Sequence, residues 1–215
     1  EYGKITASIR GVKKPNAKLK FAAEPFCFGE FMLSAKDGRY AVTNSTEIES
    51  FYSLREDFVT YCCAGCVLEQ LAAAGQENQS EPALLLLALN TLKLLEEREI
   101  SPQIVLVKFL LDSLKIAGFG LTFDKCGMCG NRTFDKMYLN LDIGGAVCPL
   151  CKNDCSSREI DARVFNCLRM ISLQPSDRLS ALRFDAYATD CLRALDAYNT
   201  AVLKKSNSLQ MLLKM

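Results

Sequence analysis

The 215-residue chain contains no histidine. That absence excludes Ser-His-Asp and Cys-His catalysis, and every zinc protease motif built on paired histidines. The chain also lacks a long apolar run. Its longest uncharged apolar stretch, Pro82 to Leu89, falls far short of the roughly 18–20 residues that cross a bilayer, and Lys93, Glu96 and Glu97 follow closely. No membrane span is expected. The opening residues Glu1-Tyr2-Gly3-Lys4 have neither an apolar core nor a small-residue cleavage site, so they are not a secretory signal. There is no initial Met, and a strand pattern that begins abruptly at Glu1 is read as a sign of missing upstream residues. A Walker-type phosphate loop is absent too: Gly144-Gly145 is not followed by Lys and reads as a turn. Acids are plentiful, but none form a paired-carboxylate arrangement separable from solvated surface.

What is present is an ordinary globular composition, 49% hydrophobic and 24% charged, sufficient for one core or a few small units. Eleven cysteines, an odd number, occur among long Leu-rich helical patterns. That combination fits a reducing cytoplasm better than a secreted disulfide scaffold. Net charge is only +1, yet residues 1–20 hold six basic groups and one acid, leaving 20 basic against 24 acidic groups elsewhere. Segregation of this kind points to an anion-binding surface at one end of the molecule.

Ile5, Ala7 and Ile9 alternate with polar residues up to Gly11, the period of a strand. A second strand is expected over Phe26–Leu33, and Asp37-Gly38 signals a hairpin into Arg39–Thr43. The first 45 or so residues therefore read as a small antiparallel sheet. Helical spacing begins at Arg55 and runs to Ala74, before Gly75. Pro82 opens a second helix whose Leu84–Leu95 segment is apolar nearly all round and is expected to be central and buried. Ser101-Pro102 opens a third helix through Ile116. Two more are expected at about Arg158–Leu173 and Asp185–Lys204.

The most specific motif is Cys126-Gly-Met-Cys129, eighteen intervening residues, then Cys148-Pro-Leu-Cys151. Two residues between thiols let one tight turn aim both at a single ion, and four thiolates close a tetrahedron with no position left for a substrate water. The expected role is a structural Zn2+ site that supplies folding energy to its module. The alternative is free thiols or an oxidised pair, and Cys155, four residues beyond Cys151, is a candidate substitute ligand. Cys63-Ala-Gly-Cys66 has redox spacing but lies within a helix pattern beside Cys62. Together with Cys27, Cys167 and Cys191 these thiols are expected to pack as small hydrophobes. The basic residues Arg10, Lys13, Lys14, Lys18 and Lys20, with Tyr2 and Phe21 near them, could track a phosphate backbone, or could be solvated surface.

Glu1-Tyr2-Gly3-Lys4-Ile5 leading to Arg10-Gly11-Val12-Lys13-Lys14-Pro15, and Gly144-Gly145 ahead of Cys148-x2-Cys151, resemble the RecO recombination-repair mediator family. The resemblance is good from residue 1 to about 151; beyond that only helical character matches. It implies an α+β, predominantly α protein. A small antiparallel OB-fold at residues 1–46, incomplete because the family's first strand is absent, would precede a helical domain at 47–215 with an inserted four-cysteine zinc module at 123–156. It also implies a cytoplasmic, nucleoid-associated protein that is not an enzyme but binds single- and double-stranded DNA, anneals complementary strands and helps to load recombinase. RecR and the single-stranded-DNA-binding protein are its implied partners. The family's DNA contacts carry over to Arg10, Lys13 and Lys14, with Lys18 and Lys20 added, and its zinc ligands to Cys126, Cys129, Cys148 and Cys151. The rival expectation is a zinc-stabilised helical interaction module with no nucleic-acid role.

Overall fold

The computed structural model describes residues 3–12, 14, 17, 19–75, 79–132, 136–153 and 156–215. Tyr2, Lys13, Lys18 and Cys155 lie outside them. The described residues form a mixed α and β molecule with two three-stranded sheets and six α-helices.

The N-terminal sheet is built on the expected hairpin. Strands β2 (Phe28–Lys36) and β3 (Arg39–Glu49) pair antiparallel, and Asp37 and Gly38 turn between them at φ +50° and +72°. A two-residue primed turn requires two positive φ values, and Asp-Gly tolerates both. The expected long first strand is reduced to β1 (Ala7–Ser8), which pairs parallel to β3 at Tyr40 and Ala41. The sheet is thus mixed, in the order β1-β3-β2, and not purely antiparallel. Period-two alternation reports two unlike faces and carries no information on strand direction.

Helix α1 (Phe58–Ala74) starts at Asp57, whose carboxylate accepts the Thr60 N–H at 2.8 Å, and is followed by Gly75. Helices α2 (Pro82–Glu97) and α3 (Pro102–Ile116) each place proline in the first turn, where its missing N–H costs nothing. The centre of the molecule is α3, not α2. Every residue from Ile104 to Leu111 is buried, and α1, α2, α4 and α5 all pack on α3. Helix α2 buries Leu84, Ala88, Leu92 and Leu95 but leaves Leu85 44% and Leu86 59% exposed. A Leu-rich run reveals an apolar helix; the number of neighbours available to cover it is set by topology.

A second sheet precedes the last helices: β4 (Met137–Asn140), β5 (Gly145–Val147) and β6 (Ser157–Ile160), antiparallel, in the order β5-β4-β6. Residues expected to begin a helix at Arg158 are therefore strand. Helix α4 (Ala162–Leu173) starts only after Asp161, which accepts the Arg163 N–H at 2.7 Å. Likewise Asp185–Tyr187 is a 3-10 turn ahead of α5 (Ala188–Val202). A sixth helix, α6 (Asn207–Leu212), is capped by Ser206 and packs on α1.

One core joins the N-terminal sheet region to the helices. Phe26 and Phe51 are buried in it with Leu54, Leu106, Leu110, Leu168 and Leu192, and Phe26 meets Tyr61 edge-on at 5.5 Å. Arg55 fastens the same junction, pairing with Glu24 at 3.1 Å and donating to the Pro25 and Ser50 carbonyls. Among the described residues no helix is long and apolar enough to cross a membrane.

Candidate metal centre and basic arm

The two cysteine pairs occupy adjacent turns held by the second sheet. In the first, Gly130 N–H donates to the Cys126 carbonyl at 2.9 Å, and Gly130 sits at φ +74°, a left-handed position that glycine fills without strain. In the second, Cys151 N–H donates to the Cys148 carbonyl at 3.0 Å. The turns are joined to each other: Gly127 N–H reaches the Ala146 carbonyl at 2.9 Å, and Cys148 N–H reaches the Cys126 sulfur at 3.4 Å. Close approach is enforced at Gly127, where a Cβ would meet Ile143 Cγ2 at 2.7 Å.

All four sulfurs lie within 4.8 Å of one another, and the Cys129 and Cys148 sulfurs are 3.8 Å apart. Thiolates about 2.3 Å from a tetrahedral zinc would lie about 3.8 Å from each other, so the donor set and its spacing fit one ion. Cys126 and Cys148 are buried with Tyr138 and Val147, while Cys129 is exposed. Burial raises the Cys126 thiol, but N–H donors from Cys129, Cys148 and Met128 outweigh it and bring the pKa down to about 6. Cys151 is pushed up to about 12, first by its hydrogen bonds to the Cys148 and Cys129 sulfurs. This arrangement can hold a metal ion.

Gly144 closes a turn within this module, as expected, whereas Gly145 is already the first residue of β5. A Cβ on Gly144, at φ +66°, would stand 2.5 Å from the Tyr198 hydroxyl, and one on Gly145 would stand 2.5 Å from Thr122 Oγ1 and 2.8 Å from its carbonyl oxygen. Ala146 N–H donates to that carbonyl at 3.0 Å, and the Tyr198 hydroxyl donates to the Phe119 carbonyl at 3.0 Å. These contacts seat the module on α5 and on the segment that follows α3. Thr122 and Tyr198 were not singled out in the sequence, and only the adjacent glycines hint that another chain segment passes close.

The remaining cysteines behave differently. Cys62, Cys63, Cys66, Cys167 and Cys191 are buried as expected, whereas Cys27 is only half-buried. Burial pushes Cys66 and Cys191 up to about 12 and Cys63 well above the ordinary thiol value. A reactive thiol needs access and a lowered pKa. Cys63 and Cys66 have neither.

Of the basic residues, Arg10, Lys14 and Lys20 are described, and all three are exposed. They lie on the chain between β1 and β2, where Lys14 and Lys20 fall in successive turns closed by Lys14 N–H to Gly11 O and Lys20 N–H to Ala17 O. Phe21 lies against Gly29 of β2, its ring 3.2 Å from where a Cβ would stand.

The fold and site together define a helical protein that carries a small sheet and an inserted four-thiol knuckle able to hold a metal ion. Residues 55–208 match the family model described as recombination protein O C terminal, and the chain belongs to that family. It is 31% identical over 152 residues to DNA repair protein RecO of Clostridium novyi (strain NT), covering 71% of this chain and 59% of that protein. DNA repair protein RecO of Acetivibrio thermocellus is 30% identical, covering 79% of this chain and 68% of its own. The protein of that name from Clostridium perfringens (strain SM101 / Type A) is 28% identical, covering 85% and 80%. The chain thus spans less than two thirds of the length of the C. novyi relative. The family match continues well past Cys151, through helices that the sequence matched only in character.

Proposed function

We propose that this chain acts in DNA repair as a recombination mediator: it binds single- and double-stranded DNA, anneals complementary strands without consuming nucleotide, and helps to load recombinase. The observation that carries the reading is membership of the RecO family over residues 55–208. Physical support comes from the charge segregation of residues 1–20 and from the exposure of Arg10, Lys14 and Lys20 beside a small sheet. In this reading the β1-β3-β2 sheet is part of an OB-fold, residues 1–46 form its domain and residues 47–215 the helical one. Arg10, Lys13, Lys14, Lys18 and Lys20 neutralise phosphates, RecR and the single-stranded-DNA-binding protein are the partners, and the protein works at the nucleoid. Neutralised phosphates release counterions, so affinity falls steeply with salt.

The four thiolates hold a structural zinc. When bound, the ion ties the two turns together and supplies folding energy to residues 123–156. The protein's own part is to brace the Cys126 sulfur through backbone N–H donors and to dock the module through Thr122 and Tyr198.

A second reading, a zinc-stabilised protein-interaction module, draws on the knuckle tips: Leu150 is 96% exposed and Met128 63%. Binding of labelled single-stranded DNA by anisotropy across a salt series separates the two. Binding that weakens as salt rises supports the mediator, and no binding at low salt leaves the interaction module.

A further inference from the structure

The four clustered sulfurs are unequally sheltered. Cys126 and Cys148 are 1% and 3% exposed and Cys151 is half-buried, whereas Cys129 is open to solvent. The tips of both turns stand in water with it, Met128 63% and Leu150 96% exposed. Across the junction of the turns, the Cys148 sulfur lies 3.8 Å from that of Cys129. A thiol that coordinates an ion is deprotonated outright. Cys129 therefore combines thiolate character with access, the two conditions for oxidation, and has a second thiolate in reach to resolve the product. Cys62, Cys63, Cys66, Cys167 and Cys191 are buried and lack that access. The module has little besides its sulfurs to hold it. Among the described residues, the cluster around them consists of Cys126, Tyr138, Val147 and Cys148, with Cys151 packed against it. A core of that size does not fold on burial alone.

We infer that Cys129 is a peroxide-sensitive modification site, at which oxidation to a disulfide with Cys148 releases the ion and loosens the module. The inference rests on the reading that the four thiolates hold zinc. The Cys129 thiolate attacks one oxygen of hydrogen peroxide, the O–O bond breaks, and the departing hydroxide takes a proton to leave as water. Cys129 is then a sulfenic acid. The Cys148 thiolate attacks its sulfur, the S–O bond breaks, and a second hydroxide leaves as water on protonation. The two sulfurs together lose two electrons, and the peroxide oxygens take both. Two of four ligands are consumed, and the remaining pair no longer closes a tetrahedron. Reduction by a dithiol restores both thiolates, so in the presence of zinc the change is reversible.

The test titrates the full, zinc-loaded chain with hydrogen peroxide while a chromogenic indicator reads free zinc. Free thiols are counted, and tryptic peptides are fragmented in the mass spectrometer. One zinc per chain should be released in step with the loss of two thiols. Peptides 126–132 and 137–152 should become linked through Cys129 and Cys148. Tm should fall by on the order of 10 °C and recover with dithiol and zinc. Zinc retained when the exposed Met215 is already oxidised would overturn the inference, as would release without that link or with any other pairing. Those outcomes leave the zinc assignment intact. A chain that binds no zinc before peroxide is added overturns both.

Discussion

The backbone N–H of Cys148 donates to the sulfur of Cys126 at 3.4 Å, so the first thiol of one turn is braced by the first residue of the other. The two pairs are thereby one unit. Cys148→Ser should bring bound zinc from one ion per chain toward none and lower Tm by on the order of 10 °C, because the module's folding energy is largely binding energy. Zinc content by atomic emission, read beside a thermal melt, checks this. Full zinc retention in the variant would contradict the tetrathiolate assignment.

The seating of the module gives a second prediction. Gly145→Ala places a methyl group 2.8 Å from the Thr122 carbonyl oxygen, a backbone atom that cannot swing aside. A cost of about 1–3 kcal/mol is expected, with the zinc held more loosely. Urea unfolding and competition with a chromogenic chelator measure the two effects, and an unchanged midpoint would mean that the segment carrying Thr122 yields freely.

Asp57 supplies a pH dependence. The Thr60 N–H and then its hydroxyl hold the Asp57 carboxyl below the ordinary value of 3.8. A group whose folded pKa is depressed contributes stability above its unfolded value and loses it as pH falls through the folded one. Asp57→Ala should therefore cost about 1 kcal/mol at neutral pH through loss of the α1 cap, with the gap from wild type narrowing below about pH 4. Denaturant unfolding at neutral and acid pH measures this directly. A gap that stays constant or widens in acid would show that the carboxylate is not the stabilising form.

Legibility in the sequence followed the range of the interactions involved. Asp37-Gly38, Pro82, Pro102 and the two Cys-x2-Cys turns were readable because each is a local rule of backbone geometry. The strand Ser157–Ile160 was not, since Arg158 and Glu159 carry no alternation and their order comes from pairing with Leu139 and Tyr138. The parallel partnership of Ala7 with Tyr40, the exposure of Leu85 and Leu86, and the capping of α6 by Ser206 depend on distant chain in the same way. In the candidate metal site the four clustered cysteines were legible. Their support was not, because Thr122 and Tyr198 act through a carbonyl and a hydroxyl that any sequence offers.

Annealing of complementary strands coated with single-stranded-DNA-binding protein, without nucleotide and over a range of salt, tests the mediator role most directly. The account predicts that the zinc-loaded protein speeds annealing at low salt, that the gain fades as salt rises, and that Arg10→Glu/Lys14→Glu removes it. An annealing rate equal to that of the coated strands alone at every salt concentration would contradict it.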